Sequence, residues 1–312
     1  VSQGSRFKHI SSLLETYPDF KLPLWCKPGS QVKEIVLFGP YGQTGLAIIR
    51  LCLFLGIKVT AIIHKTTVNF RHDLFSQVDS NDLDSVFSGK KKLVVFTGHL
   101  LSIPLYKHIL ERSEHLICFS STSKFAKAYS KSPLIRKVVS DLEEGEEAII
   151  KHAQSYGFKL NILRPTLIYG FGLDKDISRI AQFVRKYKFF PVYKSGSGLR
   201  QPVHVEDLAC AVISLFSIKN IQIKSYNLSG GEVLSYKNMV RRVFLIQNKA
   251  PLIINVPFLP FILSVMHRIY LVYGITPDVA VNMGVNFVFS HEEAQRNFNY
   301  TPRGFCDLEA LE

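Results

Sequence analysis

Acidic side chains are scarce in this chain. The 25 Asp and Glu stand against 38 Lys and Arg, leaving a formal net charge of +13. Five cysteines, at 26, 52, 118, 210 and 306, form no Cys-x-x-Cys pair, which excludes the common zinc and dithiol motifs. The ten histidines show no His-Glu-x-x-His and no paired ligand spacing, so no metal site is expected. Cys52, Cys118 and Cys210 lie inside apolar runs and read as buried thiols of a reducing compartment, which predicts a soluble, cytoplasmic protein. Long hydrophobic runs are also missing. The longest uncharged stretch, 250–266, is broken by Pro251, Pro257 and Pro260, which excludes a spanning helix there. The basic excess is scattered, with only short clusters such as Lys90–Lys92 and Arg241-Arg242. No RNA-binding signature accompanies it, so nucleic acid is not expected as a partner.

What is present is an ordinary globular composition with a rhythmic centre. Residues 1–31 read as a leading extension, in which residues 11–15 make a short helix ahead of Pro18, Pro23 and Pro28. From Glu34 onward, apolar runs at 34–38, 58–63, 92–96, 115–119 and 159–163 read as strands. Helices are predicted at about 44–55 and 141–156, closed by Gly56 and Gly157. Near-continuous apolar strands separated by helices predict an α/β fold with a parallel sheet covered on both faces. After Gly170 the pattern changes to short mixed elements with Gly/Ser loops at 195–198 and 229–231, which predicts a smaller second lobe.

The segment Phe38-Gly39-Pro40-Tyr41-Gly42-Gln43-Thr44-Gly45 joins the first strand to the first regular helix. Glycines there serve a tight turn, close approach of a pyrophosphate, and close strand–helix packing, while the helix N-terminus offers free N–H groups to phosphate. A second strand ends at Ile63, as a dinucleotide-binding βαβ unit requires.

With this Gly-x-x-Gly-x-x-Gly spacing, the chain resembles the extended short-chain dehydrogenase/reductases, the family of nucleotide-sugar epimerases, dehydratases and reductases. Further stretches match in order: Val78-Asp79, Phe119 to Ser123, Leu163-Arg164-Pro165-Thr166-Leu167-Ile168-Tyr169-Gly170, and Arg200 to Asp207. The resemblance implies a Rossmann-type doubly wound sheet with a smaller C-terminal substrate lobe. It implies a division into an extension (1–31), a dinucleotide-binding domain (32–170, with a return segment near 201–228) and a substrate lobe (171–200 and 229–312). It assigns cofactor contacts to Gly39, Tyr41, Gly42, Gln43, Thr44, Gly45, His64, Lys65, Asp79, Thr97, Gly98, Pro165 and Thr166. His64-Lys65 ends the second strand where NAD enzymes carry an acid, so charge favours NADP over NAD. The implied partner is a small molecule, a nucleotide sugar or a lipid-linked glycan precursor; homodimer formation and peripheral membrane contact stay open.

The resemblance breaks at one place. The family's Tyr-x-x-x-Lys should fall near Val139 and Leu142, where neither side chain can transfer a proton, and the chain's only such motif, Tyr17 to Lys21, lies in the leading extension. Thr122 aligns with the family's catalytic hydroxyl, and Lys124, Lys127 and Tyr129 are the groups that could replace the missing pair. Two classes therefore remain: an NAD(P)-dependent enzyme of atypical active site, or a non-catalytic cofactor-binding protein with a regulatory, assembly or scaffold role. Glu143, Glu144, Glu146 and Glu147 read as a solvated helix face, and His204 and Asp207 as structural. Residues 257–273 read either as a buried helix or as an apolar surface for a greasy ligand or a membrane.

Overall fold

The computed structural model describes residues 3–27, 32–64, 67–126, 132–218, 222–268 and 277–305. The chain begins with helix α1 (Gln3–Glu15), strand β1 (Glu34–Phe38), α2 (Gln43–Phe54), β2 (Lys58–Ile63), β3 (Phe75–Asp79) and α3 (Leu83–Val86). There follow β4 (Lys92–Phe96), α4 (Lys107–Arg112), β5 (Ser113–Phe119), α5 (Ser123–Ala126), α6 (Pro133–Tyr156) and β6 (Lys159–Pro165). Then come β7 (Ile168–Tyr169), α7 (Ile177–Tyr187), β8 (Phe190–Val192), β9 (Leu199–Arg200), β10 (Val203–His204), α8 (Val205–Phe216) and β11 (Ile223–Leu228). The last elements are β12 (Leu234–Ser235), α9 (Tyr236–Ile246), β13 (Ile253–Asn255), α10 (Leu259–Arg268), α11 (Pro277–Asn282) and α12 (Glu292–Phe298).

The chain divides into two compact units. The first comprises 1–165, 205–228 and 290–301; the second comprises 166–204, 229–289 and 302–312. The first is built on a seven-stranded sheet in the order β11-β6-β5-β4-β1-β2-β3, parallel at every junction. Strand order reverses between β1 and β4, the switch point at which open α/β sheets bind ligands beyond their carboxyl ends. The α/β expectation therefore holds.

Alternate residues of each strand serve opposite faces. Val36, Phe38, Val94, Phe96, Leu116, Cys118, Leu160 and Ile162 pack with Ile149 and Ala153 of α6 in one core cluster. Helices α2 and α8 pack on each other, and every residue of α2 from Thr44 to Leu53 is buried. Burial on both faces explains why the strands read as unbroken apolar runs.

Several boundaries differ from the sequence reading, among them the end of β6, which runs to Pro165 rather than 163. Helix α1 is 13 residues long, with Ile10 and Leu14 fully buried, since Pro18 limits it only at its C-terminal side. Helix α6 starts at Pro133 rather than near 141, because proline suits the first helical turn, where its missing N–H has no partner to lose. Strand β5 begins at Ser113. The leading segment is fastened to the sheet unit: Arg50 donates to the Thr16 carbonyl at 2.9 Å, and Trp25 meets Tyr300 edge-on at 5.2 Å. Tyr17, of the motif Tyr17 to Lys21, hydrogen-bonds His72 at 3.1 Å. Cys26, Cys52, Cys118 and Cys210 are buried free thiols.

The second unit has its own core, formed where Ile177, Ile180 and Val184 of α7 meet Met239, Val240, Val243 and Phe244 of α9. Its strands are short pairs, β10 with β7, β12 with β9 and β13 with β8. Arg200 is buried here, donating to the carbonyls of Leu199, Val285 and Asn282, and burial lowers its pKa to about 10. His204 packs edge-on against Tyr169 at 5.0 Å.

Candidate functional site

The loop from β1 to α2 gives each of its three glycines a separate reason. Gly39 has a φ of +75°, which side-chain-bearing residues rarely adopt, and a Cβ there would lie 2.5 Å from the Thr97 hydroxyl oxygen. Gly45 sits in the first turn of α2, where a Cβ would lie 2.6 Å from the Pro40 carbonyl oxygen and closer still to that of Gly39. Gly42 is different. Its φ of −79° suits any residue, and a Cβ would meet only the Gly39 carbonyl oxygen, at 3.8 Å. Nothing within the described chain requires glycine at 42, so the vacancy faces outward.

Gly42 is the N-cap of α2, no side chain caps the helix, and its first turn holds no acid. The N-terminal N–H groups of a helix carry a partial positive charge suited to an anion. The side-chain oxygen of Gln43 is buried without a hydrogen-bond partner at the same turn. The loop is braced from two sides. Thr97, just past β4, donates its hydroxyl toward the carbonyls of Phe38 at 3.0 Å and Gly39 at 2.8 Å. Tyr41 donates its hydroxyl to the side-chain oxygen of Gln77 on β3, and burial raises the pKa of that phenol to about 12. Thr44 is buried, and Gly98 is exposed beside Thr97.

His64 stands exposed at the end of β2, with Nδ1 2.8 Å from the Ser80 hydroxyl and Nε2 2.8 Å from that of Tyr106. Lys65, Lys127 and Tyr129 lie outside the described residues. Asp79 ends β3 and accepts the Asn81 N–H at 2.9 Å. An open depression of about 520 Å³ adjoins it, lined by Gln77, Val78, Asp79, Asn81, Asp82, Asp84 and Ser85.

The end of β5 carries a buried polar cluster that centres on Glu146 of α6. Arg164 on β6 holds this carboxylate with two hydrogen bonds, Lys124 on α5 adds an ion pair at 2.7 Å, and Ser120 donates its hydroxyl at 2.5 Å. Burial pushes the Glu146 pKa up, but the bonds from Arg164, Lys124 and Ser120 outweigh it and hold the carboxyl below its ordinary range. Reading Glu146 as part of a solvated face is therefore corrected: it is 2% exposed, while Glu143, Glu144 and Glu147 are exposed. Its signal lay in the periodicity, since Val139, Glu146, Ile149 and Ala153 fall on one buried helical stripe. Ser120 and Arg164 lie in the family-like stretches 119–123 and 163–170, whose spacing alone does not reveal them as its partners.

Thr122 is buried, with its hydroxyl donating to the Pro165 carbonyl at 3.1 Å. Val139 is buried and Leu142 half-buried, so apolar side chains occupy the positions where the Tyr and Lys were sought. Thr166 falls in the second unit and donates its hydroxyl to the Gln201 carbonyl. Among the described residues no cluster of His, Cys, Asp and Glu could hold a metal ion.

Residues 144–228, from the Glu146 helix to the end of β11, match the NAD dependent epimerase/dehydratase family. An uncharacterized protein, y4nG, of Sinorhizobium fredii is 26% identical over 161 residues, 50% of this chain and 40% of that protein. Subunit 9 of the NADH dehydrogenase [ubiquinone] 1 alpha subcomplex, mitochondrial, of Arabidopsis thaliana is 28% identical over 98 residues, 31% of this chain and 24% of that protein. The chain thus spans less than half the length of these curated relatives. Among solved structures, UDP-glucuronic acid 4-epimerase from Bacillus cereus, in complex with NAD, superposes with a TM-score of 0.66 at 14% identity. The match covers 89% of this chain and 96% of that one.

Proposed function

We propose that this chain, which carries an NAD dependent epimerase/dehydratase segment on the fold of the extended short-chain dehydrogenases, binds NADP or NAD in the loop 39–45 and turns over nucleotide sugars slowly or not at all. One observation carries the cofactor reading. Gly39 and Gly45 are needed by the chain itself, whereas Gly42 leaves free the space that a pyrophosphate would use beside an uncapped helix start.

In this reading the backbone of Gly39, Gly42, Gln43, Thr44 and Gly45 holds the pyrophosphate, and Tyr41 stiffens the loop through Gln77. Asp79 serves the adenosine end, with His64 and Lys65 at the ribose. Basic groups at that position favour NADP, since an acid would repel the 2′-phosphate. Thr97, Gly98 and Pro165 serve the nicotinamide side, and Thr166 is the residue that follows Pro165 in the chain. When bound, the nicotinamide supplies a hydride donor or acceptor.

Among the described residues, the positions sought for a proton partner do not supply one. Lys124 is committed to Glu146, Thr122 to the Pro165 carbonyl, and position 139 is a buried valine. A cofactor-holding scaffold is the limiting form of the same reading. The nucleotide-sugar class is taken from the activity of the B. cereus epimerase, which this fold resembles.

Calorimetric titration of the protein with NADP and with NAD tests the reading, with Lys65→Asp as the comparison. Wild type should bind NADP the more tightly, and Lys65→Asp should weaken NADP more than NAD. Absence of binding to either dinucleotide at millimolar concentration refutes the cofactor reading.

A further inference from the structure

A helix on the surface of a protein normally turns its apolar stripe inward and its polar stripe to water. Helix α10 in the second unit has apolar stripes on both sides. Leu259 is buried and Leu263 is packed against the unit's core. The opposite side, together with the residue that leads into the helix, presents Phe258 (74% exposed), Phe261 (70%), Ile262 (41%) and Val265 (43%). These four positions follow i, i+3, i+4 and i+7 spacing, so they form a single outward stripe, and the exposed Arg268 continues it by three residues. Helix α11 packs beside α10 and exposes Val279 and Val281. Isolated exposed apolar side chains need no explanation, but a contiguous stripe with two phenylalanines marks a contact surface.

The charge around the stripe identifies its partner. In the second unit's stretches 177–204 and 229–289 the acids are Glu232, which is paired with Arg242, and the half-buried Asp278 of α11. Basic side chains dominate the same stretches. Arg185, Lys186 and Lys188 are exposed at the end of α7, immediately before β8, and β8 pairs with β13, the strand that leads into α10. Tyr187 among them is 48% exposed and Leu252, at the start of β13, is 55% exposed. The sequence beyond Arg268, residues 269–276, contains no charged residue. An apolar helix face with aromatic residues, bordered by Lys and Arg and almost free of acid, is complementary to a bilayer whose headgroups are anionic. A second copy of the chain would bring the same basic rim against itself, at a cost in repulsion.

We propose that the α10 face of the second unit docks on anionic membrane surfaces, its Phe258, Phe261, Ile262 and Val265 entering the headgroup–acyl boundary while the basic residues pair with lipid phosphates and carboxylates. No helix among the described residues is long and apolar enough to cross a membrane. The proposal does not depend on the cofactor reading, because Phe261 and Arg268 belong to the second unit and the glycine loop to the first.

The test is vesicle flotation of the full chain with phosphatidylcholine alone and with about one third phosphatidylserine. Wild type should float with the anionic vesicles, lose binding as salt rises, and bind pure phosphatidylcholine weakly. Phe261→Ser should weaken anionic binding by about tenfold. Arg268→Glu should weaken it severalfold, against a small change for Lys91→Glu, which alters net charge equally from the sheet unit. Circular dichroism and thermal melting of Phe261→Ser verify that the fold is intact. Failure of wild type to float overturns the proposal, as does an equal loss from Lys91→Glu, which would mean unlocalised charge attraction. A concentration-dependent dimer in sedimentation, abolished by Phe261→Ser while vesicle binding is unaffected, would assign the face to a second copy instead.

Discussion

Arg164 grips Glu146 through two parallel hydrogen bonds, Nε to Oε1 at 2.9 Å and Nη2 to Oε2 at 2.5 Å. The pair ties α6 to β6 across the carboxyl end of the sheet, and Lys124 and Ser120 complete the carboxylate's shell. Glu146→Ala leaves two cations without their counter-charge in a place with little water. We expect a loss of about 3–5 kcal/mol, read from urea denaturation at neutral pH. Glu146 has a lowered pKa in the fold, so its contribution is present above the unfolded carboxylate value and is lost as pH falls through the folded one. Glu146→Gln should therefore flatten the acid limb of the stability profile, and an unchanged acid limb would count against this role.

His115 titrates with the same sign of pH dependence for a different reason. Burial lowers its pKa from 6.5 to about 4, against an opposing hydrogen bond with Asn161 at 2.8 Å. The folded chain holds the imidazole neutral while the unfolded chain protonates it, so stability is full above about pH 6.5 and declines as pH falls toward 4. The loss should reach on the order of 3 kcal/mol. In His115→Gln that decline between pH 6.5 and 4 should be absent in thermal melts.

The glycines of the loop should separate stability from binding. Gly45→Ala forces a Cβ against the Pro40 carbonyl and should lower the thermal midpoint through about 2 kcal/mol or more of destabilisation. Gly42→Ala should leave the midpoint within about 0.5 kcal/mol of wild type. Gly42→Val should retain the fold yet bind NADP at least about tenfold more weakly by calorimetry. Equal NADP affinity in Gly42→Val and wild type would mean that the loop is a turn and nothing more.

Ordinary dehydrogenase turnover should be weak. General acid–base catalysis contributes about 10²- to 10⁴-fold, and no proton-transferring side chain stands at 139 or 142. Stopped-flow absorbance at the reduced-nicotinamide band, with a panel of nucleotide sugars, should show slow or absent turnover. Rapid turnover abolished by Tyr129→Phe would instead identify a displaced catalytic tyrosine. Rapid turnover that survives removal of Thr122, Lys124, Lys127 and Tyr129 side chains would refute both the deficit and its substitutes.

Much of this fold was legible because burial on both faces writes itself into the chain as apolar runs. Glu34–Phe38, Lys58–Ile63 and Lys92–Phe96 were read to their observed ends. Strand β3 was harder, since Ser76, Gln77 and Asp79 are only half-buried and look like a loop. The glycine loop was legible as a motif, but only backbone geometry separates Gly42, which the chain does not need, from Gly39 and Gly45, which it does. Glu146 was misread because four glutamates in five positions look like a polar face, and a single buried one is picked out only by its phase on the helix. The outward stripe of α10 was visible as hydrophobicity, but composition alone does not say on which side of a helix the water lies.

Strand β11 joins the sheet by pairing with β6, Leu160 opposite Ile223 and Pro165 opposite Leu228, yet residues 166–204 of the second unit and then α8 intervene between the two strands. On the ribosome, β6 is therefore finished long before its neighbour exists. At typical synthesis speeds the sheet spends roughly several seconds with β6 as an unpaired edge, a row of open N–H and C=O groups that invites the wrong strand. The far end of the sheet faces no such delay, since β1, β2 and β3 are contiguous in the chain. Nascent copies of this protein should thus depend on chaperone cover from the completion of β6 until residue 228 emerges, a vulnerability set by the order of insertion rather than by the stability of the finished molecule.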